Sequence, residues 1–163
     1  MTTNCANTYI VPTTANEITM PSQPAFSARA GAAQLNVTGD GTPYTVQFAT
    51  ELVDQNNDFD GTSTFTAPVT GIYQINAAVR MTGLTVAMTT GEMNIITTPA
   101  TFVNTLNVGA ARSGGNQYTF KNSVIVPLTA TDTVTVTIDI SGGLIVADVV
   151  NAASTFFSGA LIA

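Results

Sequence analysis

Within residues 132–140, DTVTVTIDI, polar and apolar side chains alternate strictly from Thr133 to Ile140. Successive side chains of an extended strand point to opposite faces, so the apolar residues of this segment share one face and the polar residues share the other. A helix would scatter the same residues around its axis. Residues 71–81, GIYQINAAVRM, follow the same alternation except at Ile72 and Ala78. Both segments are therefore predicted to be strands with one apolar face.

Turn residues divide the rest of the chain into short segments of the same kind. Turns are expected at 38–43 (TGDGTP), 112–116 (RSGGN), Pro127 and 141–143 (SGG), where glycine, asparagine, aspartate or proline favours turn backbone angles. No segment has a convincing helical period, so the pattern predicts an all-β antiparallel sandwich or jelly roll. The further predicted strands lie near 25–30, 44–50, 92–98, 101–108, 116–126 and 154–162.

Few residues of the chain are charged: 9%, against about 25% in a typical domain, with a net charge of −6. Because Lys and Arg form no cluster in the sequence, nucleic acid is not an expected partner. The absence of His excludes imidazole catalysis and the usual zinc or iron ligand sets. No apolar run approaches the ~18 residues that span a bilayer, so membrane insertion is not expected. So uncharged a surface is predicted to be partly covered by partner subunits.

The length of 163 residues suits one domain with a short appendage. Residues 1–24 hold three of the seven prolines and alternate only weakly, so they are predicted to form an extended N-terminal arm or linker. Residues 25–163 are predicted to form the folded domain. Cys5 is the single cysteine of the sequence and lies in the arm, which excludes an intrachain disulfide. A free thiol is the expectation, and a bond between chains stays open.

Seven residues between positions 48 and 75 follow a spaced pattern: Phe48, Asp54, Phe59, Phe65, Gly71, Tyr73 and Ile75. This spacing resembles the globular head domain of complement C1q and, more distantly, the tumour-necrosis-factor cytokines. PAFSA (24–28) and FFSGALI (156–162) resemble the opening and closing strands of that family. The chain departs from the family pattern in two places, since Ile75 replaces the usual Phe and the spacing from Phe59 to Phe65 is one residue short.

The resemblance implies a ten-stranded antiparallel jelly-roll sandwich that assembles as a tight homotrimer, without implying one function. It places Gly71, Tyr73 and Ile75 on the core side of the central strand, so the alternate residues of that strand face the threefold axis. It also places the closing strand at the subunit contact. The residues expected at the trimer interface are Gln74, Asn76, Ala78, Thr119, Lys121, Ser123, Phe157, Gly159 and Leu161.

Asp54, Asn56, Asp58 and Asp60 alternate ahead of Gly61, as oxygen ligands do in a calcium loop. An EF-hand loop that began at the first of them would have Phe at its sixth position, where Gly is required, and at its twelfth, where Glu is required. A loop that began at the second would have Gly at its sixth position but Ala at its twelfth. The stretch is therefore predicted to be a crossover between strands. No cofactor is expected, and a weak calcium site at these four residues stays open as the alternative.

No sequence motif indicates catalysis. The nucleophile elbow Gly-x-Ser-x-Gly is absent, and no spacing pairs any two of the ten carboxylates as acid and base. No catalytic residue is assigned, and the chain is predicted not to be an enzyme.

Residues 7–26 resemble segments that precede such domains in fibre-like proteins of tailed bacteriophages. The sequence therefore predicts the trimeric head of a phage fibre or similar virion appendage. It would bind a protein or glycan receptor on the host surface through loops at 38–43, 82–91, 109–116 and 141–153, with avidity from the repeated sites. Two alternatives stay open. One is a virion decoration or assembly protein that binds no receptor, and the other is a secreted, extracellular ligand-binding domain of the same family.

Overall fold

The computed structural model describes residues 22–151 and 153–163 of the chain. The predicted arm, residues 1–24, lies outside the described residues apart from its last three, and so does Cys5.

Twelve strands and one short helix make up the described part of the chain. They are β1 (Ala25–Arg29), β2 (Gln34–Thr38), β3 (Tyr44–Thr45), β4 (Thr50–Gln55), β5 (Phe65–Thr66), β6 (Gly71–Thr82), β7 (Thr90–Thr97), β8 (Thr101–Leu106), α1 (Val108–Ala111), β9 (Tyr118–Leu128), β10 (Thr133–Ser141), β11 (Ala147–Val149) and β12 (Phe156–Leu161).

The strands form two sheets in which every pairing is antiparallel. The first sheet has seven strands in the order β2-β11-β6-β12-β1-β4, and β9 pairs with the other side of β6. The second sheet has five strands in the order β3-β10-β7-β8, and β5 also pairs with β10. The two sheets pack face to face, so the predicted all-β antiparallel jelly-roll architecture is confirmed. The count is twelve where ten were predicted, because two of the strands, β3 and β5, are segments of only two residues.

The core lies between the sheets and is built by the alternation seen in the sequence. Tyr73 and Ile75 of β6 and Val136 and Ile138 of β10 are fully buried. A cluster of phenylalanines fills one part of this core. Phe26 stacks on two of them, with ring centroids 4.6 Å from that of Phe65 and 5.4 Å from that of Phe59, and it meets Phe157 edge to face at 4.7 Å.

Pro127 does not form the predicted turn but lies inside β9, opposite Ile72. The backbone of Ile72 is bonded on its other side, since its N–H donates to Ala163 O at 2.6 Å and its carbonyl accepts from Ile162 N at 2.8 Å. An opposing residue in such a pair directs its own backbone away from β6. The proline nitrogen therefore points to the free side of β9, where no donor is needed.

Two further segments differ from the sequence predictions. Residues 108–111 form one turn of helix, in which the side chain of Asn107 accepts a hydrogen bond from Ala110 N. The predicted loop at 141–153 contains the strand β11, which pairs with both β2 and β6. Each element is too short for a period to be visible in the sequence.

Candidate subunit interface and binding surface

The outer face of the first sheet is formed by the side chains that alternate with its core residues. Gln74, Asn76, Thr119, Lys121 and Ser123, all predicted at the trimer interface, lie on this outer face and remain half-buried or exposed. Asn76 is opposite Ser123 on β9 and Ser158 on β12, and its side-chain oxygen accepts from Ser123 Oγ at 2.6 Å. The middle of the face is therefore polar and already hydrogen-bonded within the chain.

Towards the start of β6 the outer face carries exposed apolar side chains beside Gln74. Ile125 is opposite Gln74 and is 64% exposed, and Ile162, which bonds to the backbone of Ile72, is 48% exposed. Neither isoleucine was among the predicted interface residues. Ile125 could have been found by continuing the alternation that placed Ser123 outward, whereas the position of Ile162 depends on the pairing of the chain end with β6.

The structure corrects the predicted side of β12. Phe157 is fully buried, Gly159 lies in the core as well, and Leu161 is half-buried against the core. The cause is the register with β6, which sets Phe157 opposite Ala77 and Gly159 opposite the core residue Ile75. Phe157 and Gly159 are therefore enclosed within the single chain, whereas Leu161 keeps part of its surface exposed. The outward residues of this strand are Phe156, Ser158 and Ala160.

Ala78 lies on the outer face as predicted, but it is only 1% exposed within the single chain. Its neighbours across the strands are Phe156 and Lys121, both much larger. Of the family pattern, Phe48, Phe59, Phe65, Tyr73 and Ile75 lie in the core, while Asp54 and Gly71 are half-buried.

The crossover at 54–64 uses its carboxylates to hold its own backbone. Asp54 Oδ1 accepts from Asp58 N at 3.0 Å, and Asp60 Oδ1 accepts from three backbone N–H groups, those of residues 62, 63 and 64, at 2.7 to 3.0 Å. Asn56 and Asn57 take positive φ angles of 74° and 61°, which asparagine tolerates better than most residues. These bonds give the spaced acidic and amide residues of this stretch a structural role in a tight connection.

The pKa values of Asp58 and Asp60 in this crossover are shifted by their burial and hydrogen bonds. Burial acts to raise the pKa of Asp60, but the three backbone N–H groups outweigh it, and the pKa lies below its usual value. The pKa of Asp58 is raised, chiefly by burial, and its Oδ2 is buried without a hydrogen-bond partner. Among residues 22–151 and 153–163, no three His, Cys, Asp or Glu side chains are grouped so that they could hold a metal ion.

Four loops meet at the end of the sandwich opposite the described chain ends: 39–43, 83–89, 112–117 and 142–146, called here the distal loops. The chain ends lie beside the start of β6, because Ala163 bonds to Ile72, and β6 then runs for twelve residues, about 40 Å, to the distal loops. Gly143 N donates to Gly39 O at 2.8 Å, and Leu84 N donates to Asn116 O at 3.1 Å. The distal loops therefore brace one another.

Close backbone contacts leave little space between the distal loops. Gly39 has a φ of 146°, and a Cβ there would lie 1.8 Å from the carbonyl oxygen of Leu144. Aliphatic side chains nevertheless project from the braced loops, since Leu144 is 77% exposed and Val86 is 76% exposed. Large exposed apolar side chains on rigid loops are typical of recognition surfaces.

The model of the C1q domain matches residues 25–162. The chain belongs to the C1q domain family. Among solved structures, the globular domain of zebrafish complement 1qA is 18% identical, with a TM-score of 0.57, and the match covers 86% of this chain and 98% of that one. Murine APRIL, solved at pH 8.5, is 11% identical with a TM-score of 0.59, covering 86% of this chain and 99% of that one. No curated protein matches the sequence.

These likenesses show the fold of the C1q and tumour-necrosis-factor families. Domains of this kind are generally non-enzymatic ligand-binding modules that often assemble as trimers. In the part of the chain that the structure describes, no helix has the length and apolar character needed to cross a bilayer.

Proposed function

We propose that this C1q domain is the non-enzymatic, homotrimeric head of a phage fibre or virion appendage, which binds a host-surface receptor through its distal loops. The observation that carries the proposal is the separation of two surfaces on one rigid sandwich. The outer face of the first sheet offers an exposed apolar area beside hydrogen-bonded polar rows, while the distal loops present Leu144 and Val86 about 40 Å from the chain ends.

The outer face of the first sheet is the proposed subunit contact. Ile72, Ile125 and Ile162 would be removed from water by a neighbour, and burial of apolar surface drives most stable association. The core of a protein interface is more apolar than its polar rim. This face has that composition without the predicted Phe157, Gly159 and Leu161.

The distal loops are the proposed receptor surface. The described chain ends lie at the opposite end of β6, so a stalk that continued from them would hold the loops away from the rest of the appendage. A trimer would present three copies of each loop, and linked copies of a weak site bind with greater avidity than one. The receptor would be a protein or glycan of the host surface, and Leu144 would supply an apolar contact.

A phage origin is supported by the resemblance of residues 7–26 to segments of phage fibre proteins. A secreted ligand-binding domain is the second candidate, since the C1q domain family as a whole is compatible with it. Tail or capsid genes beside the coding sequence would favour the virion protein. A longer precursor with a secretion signal would favour the secreted domain.

Receptor binding is tested with the Leu144→Glu variant and wild type, both as purified oligomers. Wild type should bind susceptible cells and compete with whole virions for adsorption, and the variant should lose most binding while keeping the same molar mass. Val69→Glu is the control, because Val69 is also an exposed aliphatic residue (45%) but lies just before β6, at the opposite end of the sandwich. Failure of wild type to bind or compete would sink receptor binding and leave the virion decoration protein.

A further inference from the structure

Three of the four basic residues of the sequence lie on one face of the sandwich. Arg29 on β1, Arg80 on β6 and Lys121 on β9 all alternate with buried core residues and point outward from the first sheet. The pairing register sets Arg29 opposite Phe156, Phe156 opposite Ala78, and Ala78 opposite Lys121. The row formed by Arg29, Phe156, Ala78 and Lys121 is called here the basic row, after the charged residues at its two ends. It crosses four strands and spans roughly 14 Å at about 4.8 Å per strand.

Within the described residues of its own sheet, no acidic side chain lies opposite a member of the basic row. Asp148, opposite Thr82 in the same sheet, is already engaged, since its Oδ1 accepts from Asn36 N at 2.7 Å. Glu51 on the neighbouring strand β4 points towards Gly61 instead. Arg80 donates only to the side-chain oxygen of Gln117, a neutral group. Positive charges on this face are therefore left unpaired by the chain itself.

A complementary acidic row crosses the outer face of the second sheet. Asp139 on β10 is opposite Glu92 on β7, and Glu92 is opposite Thr105 on β8, whose hydroxyl donates to Glu92 Oε1 at 2.8 Å. Like charges directly opposite in a sheet are destabilising. The pKa of Asp139 is raised by burial and further by Glu92 and Asp40, and its Oδ1 is buried without a partner.

Both rows lie at the same level and meet at one edge of the sandwich. Asn104, next to Thr105 in β8, donates its side-chain N–H to Lys121 O at 2.7 Å. Lys121 therefore lies beside the edge of its own chain. Arg29 stands at the other end of the basic row, three strands away, and is open to a neighbouring molecule.

We infer that the basic row of one copy is the docking surface for the β8 edge and acidic row of a second copy, with Arg29 of one copy facing Glu92 of the next. This inference rests on the proposed homotrimer and names the charges that select its geometry. Two different surfaces of the same chain meet, so the contact is head-to-tail, and such contacts close into rings when the rotation allows. Complementary charges fix the register of an interface and suppress alternatives.

Charge reversal tests the pairing. Arg29→Glu and Glu92→Arg should each raise the dissociation constant of the assembly at least about tenfold, because close charge pairs at interfaces couple by more than the 1.4 kcal/mol that equals a tenfold change. The variant that carries both reversals should return to within about threefold of wild type, since the pair is restored with opposite sense. Rising salt should weaken wild-type assembly.

Arg112→Glu is the control, because it changes the net charge by the same amount in a distal loop. It should assemble like wild type. Circular dichroism and thermal unfolding verify that each variant is folded, and Arg29→Gln should show a smaller loss in the same direction. Single reversals that assemble like wild type, or a double variant no better than the singles, would overturn the inference while leaving the trimer intact. A monomeric wild type would instead overturn the proposed function.

Discussion

Replacing Phe157 by Ala should destabilise the fold, whereas replacing its neighbour Phe156 should mainly weaken assembly. Phe157 is fully buried, with its ring 4.7 Å from that of Phe26, 5.4 Å from Phe48 and 6.1 Å from Phe59. Phe→Ala in a core costs about 3–5 kcal/mol, and aromatic pairs add to the area term. The upper half of that range is expected, a large share of the 5–15 kcal/mol typical of a domain.

Phe156 is the matched control because it has the same chemistry one residue away on the opposite side of β12. Its Ala variant should lose about 1 kcal/mol or less of folding free energy, as for a partly exposed surface site. Urea unfolding followed by circular dichroism measures both values. The two substitutions are made in a background that does not assemble, since association stabilises the folded state and makes the transition depend on concentration. Equal losses for the two variants would refute the register assigned to β12.

Three further predictions follow from the loops and charges. Asp139→Asn should stabilise the protein at neutral pH by roughly 0.2–1 kcal/mol, because it removes a carboxylate that lies opposite another. The pKa of Asp139 is raised in the folded state, so its protonated carboxyl group favours folding below the unfolded pKa, and that advantage is lost as pH rises through the folded pKa. The gain from the substitution should therefore vanish in acid melts. Gly39→Ala should lower Tm strongly because its Cβ would strike a backbone carbonyl, while Gly114→Ala, which meets nothing within 4 Å, should not; equal melting curves would contradict this. Added calcium should leave Tm unchanged, since Asp54 and Asp60 are occupied by backbone N–H groups; a Tm that rises with calcium and falls with chelator would revive the metal site.

Local alternation predicted the fold well wherever one face of a strand is buried. The alternate apolar residues from Val134 to Ile140 and from Tyr73 to Met81 lie on the core side. A slip of one residue in strand register would expose all of them, so the register is strongly specified. The aromatic spacing between positions 48 and 75 located the core, because those rings pack on one another across the sandwich.

The side of β12 could not be obtained from local sequence. Two adjacent phenylalanines, Phe156 and Phe157, allow either phase of alternation, and only the register with β6, about eighty residues earlier, decides between them. The turn predicted at Pro127 was wrong for a related reason. Whether a proline is tolerated in β9 depends on which side of that strand is unpaired, and the local sequence does not show this. The basic row could not be predicted either, because Arg29 and Lys121 are far apart in sequence and are placed in one row only by three successive strand pairings.

The solution molar mass of the full chain tests the central claim most directly, measured by light scattering across micromolar concentrations for wild type and Ile125→Arg. The account predicts that wild type has the mass of three chains of 16.8 kDa each, and that Ile125→Arg falls to one, because a charge enters the apolar part of the contact. Val86→Arg, in a distal loop, should remain a trimer. A monomeric wild type, or an Ile125→Arg variant that stays trimeric, would contradict the assignment of this sheet face as the subunit contact.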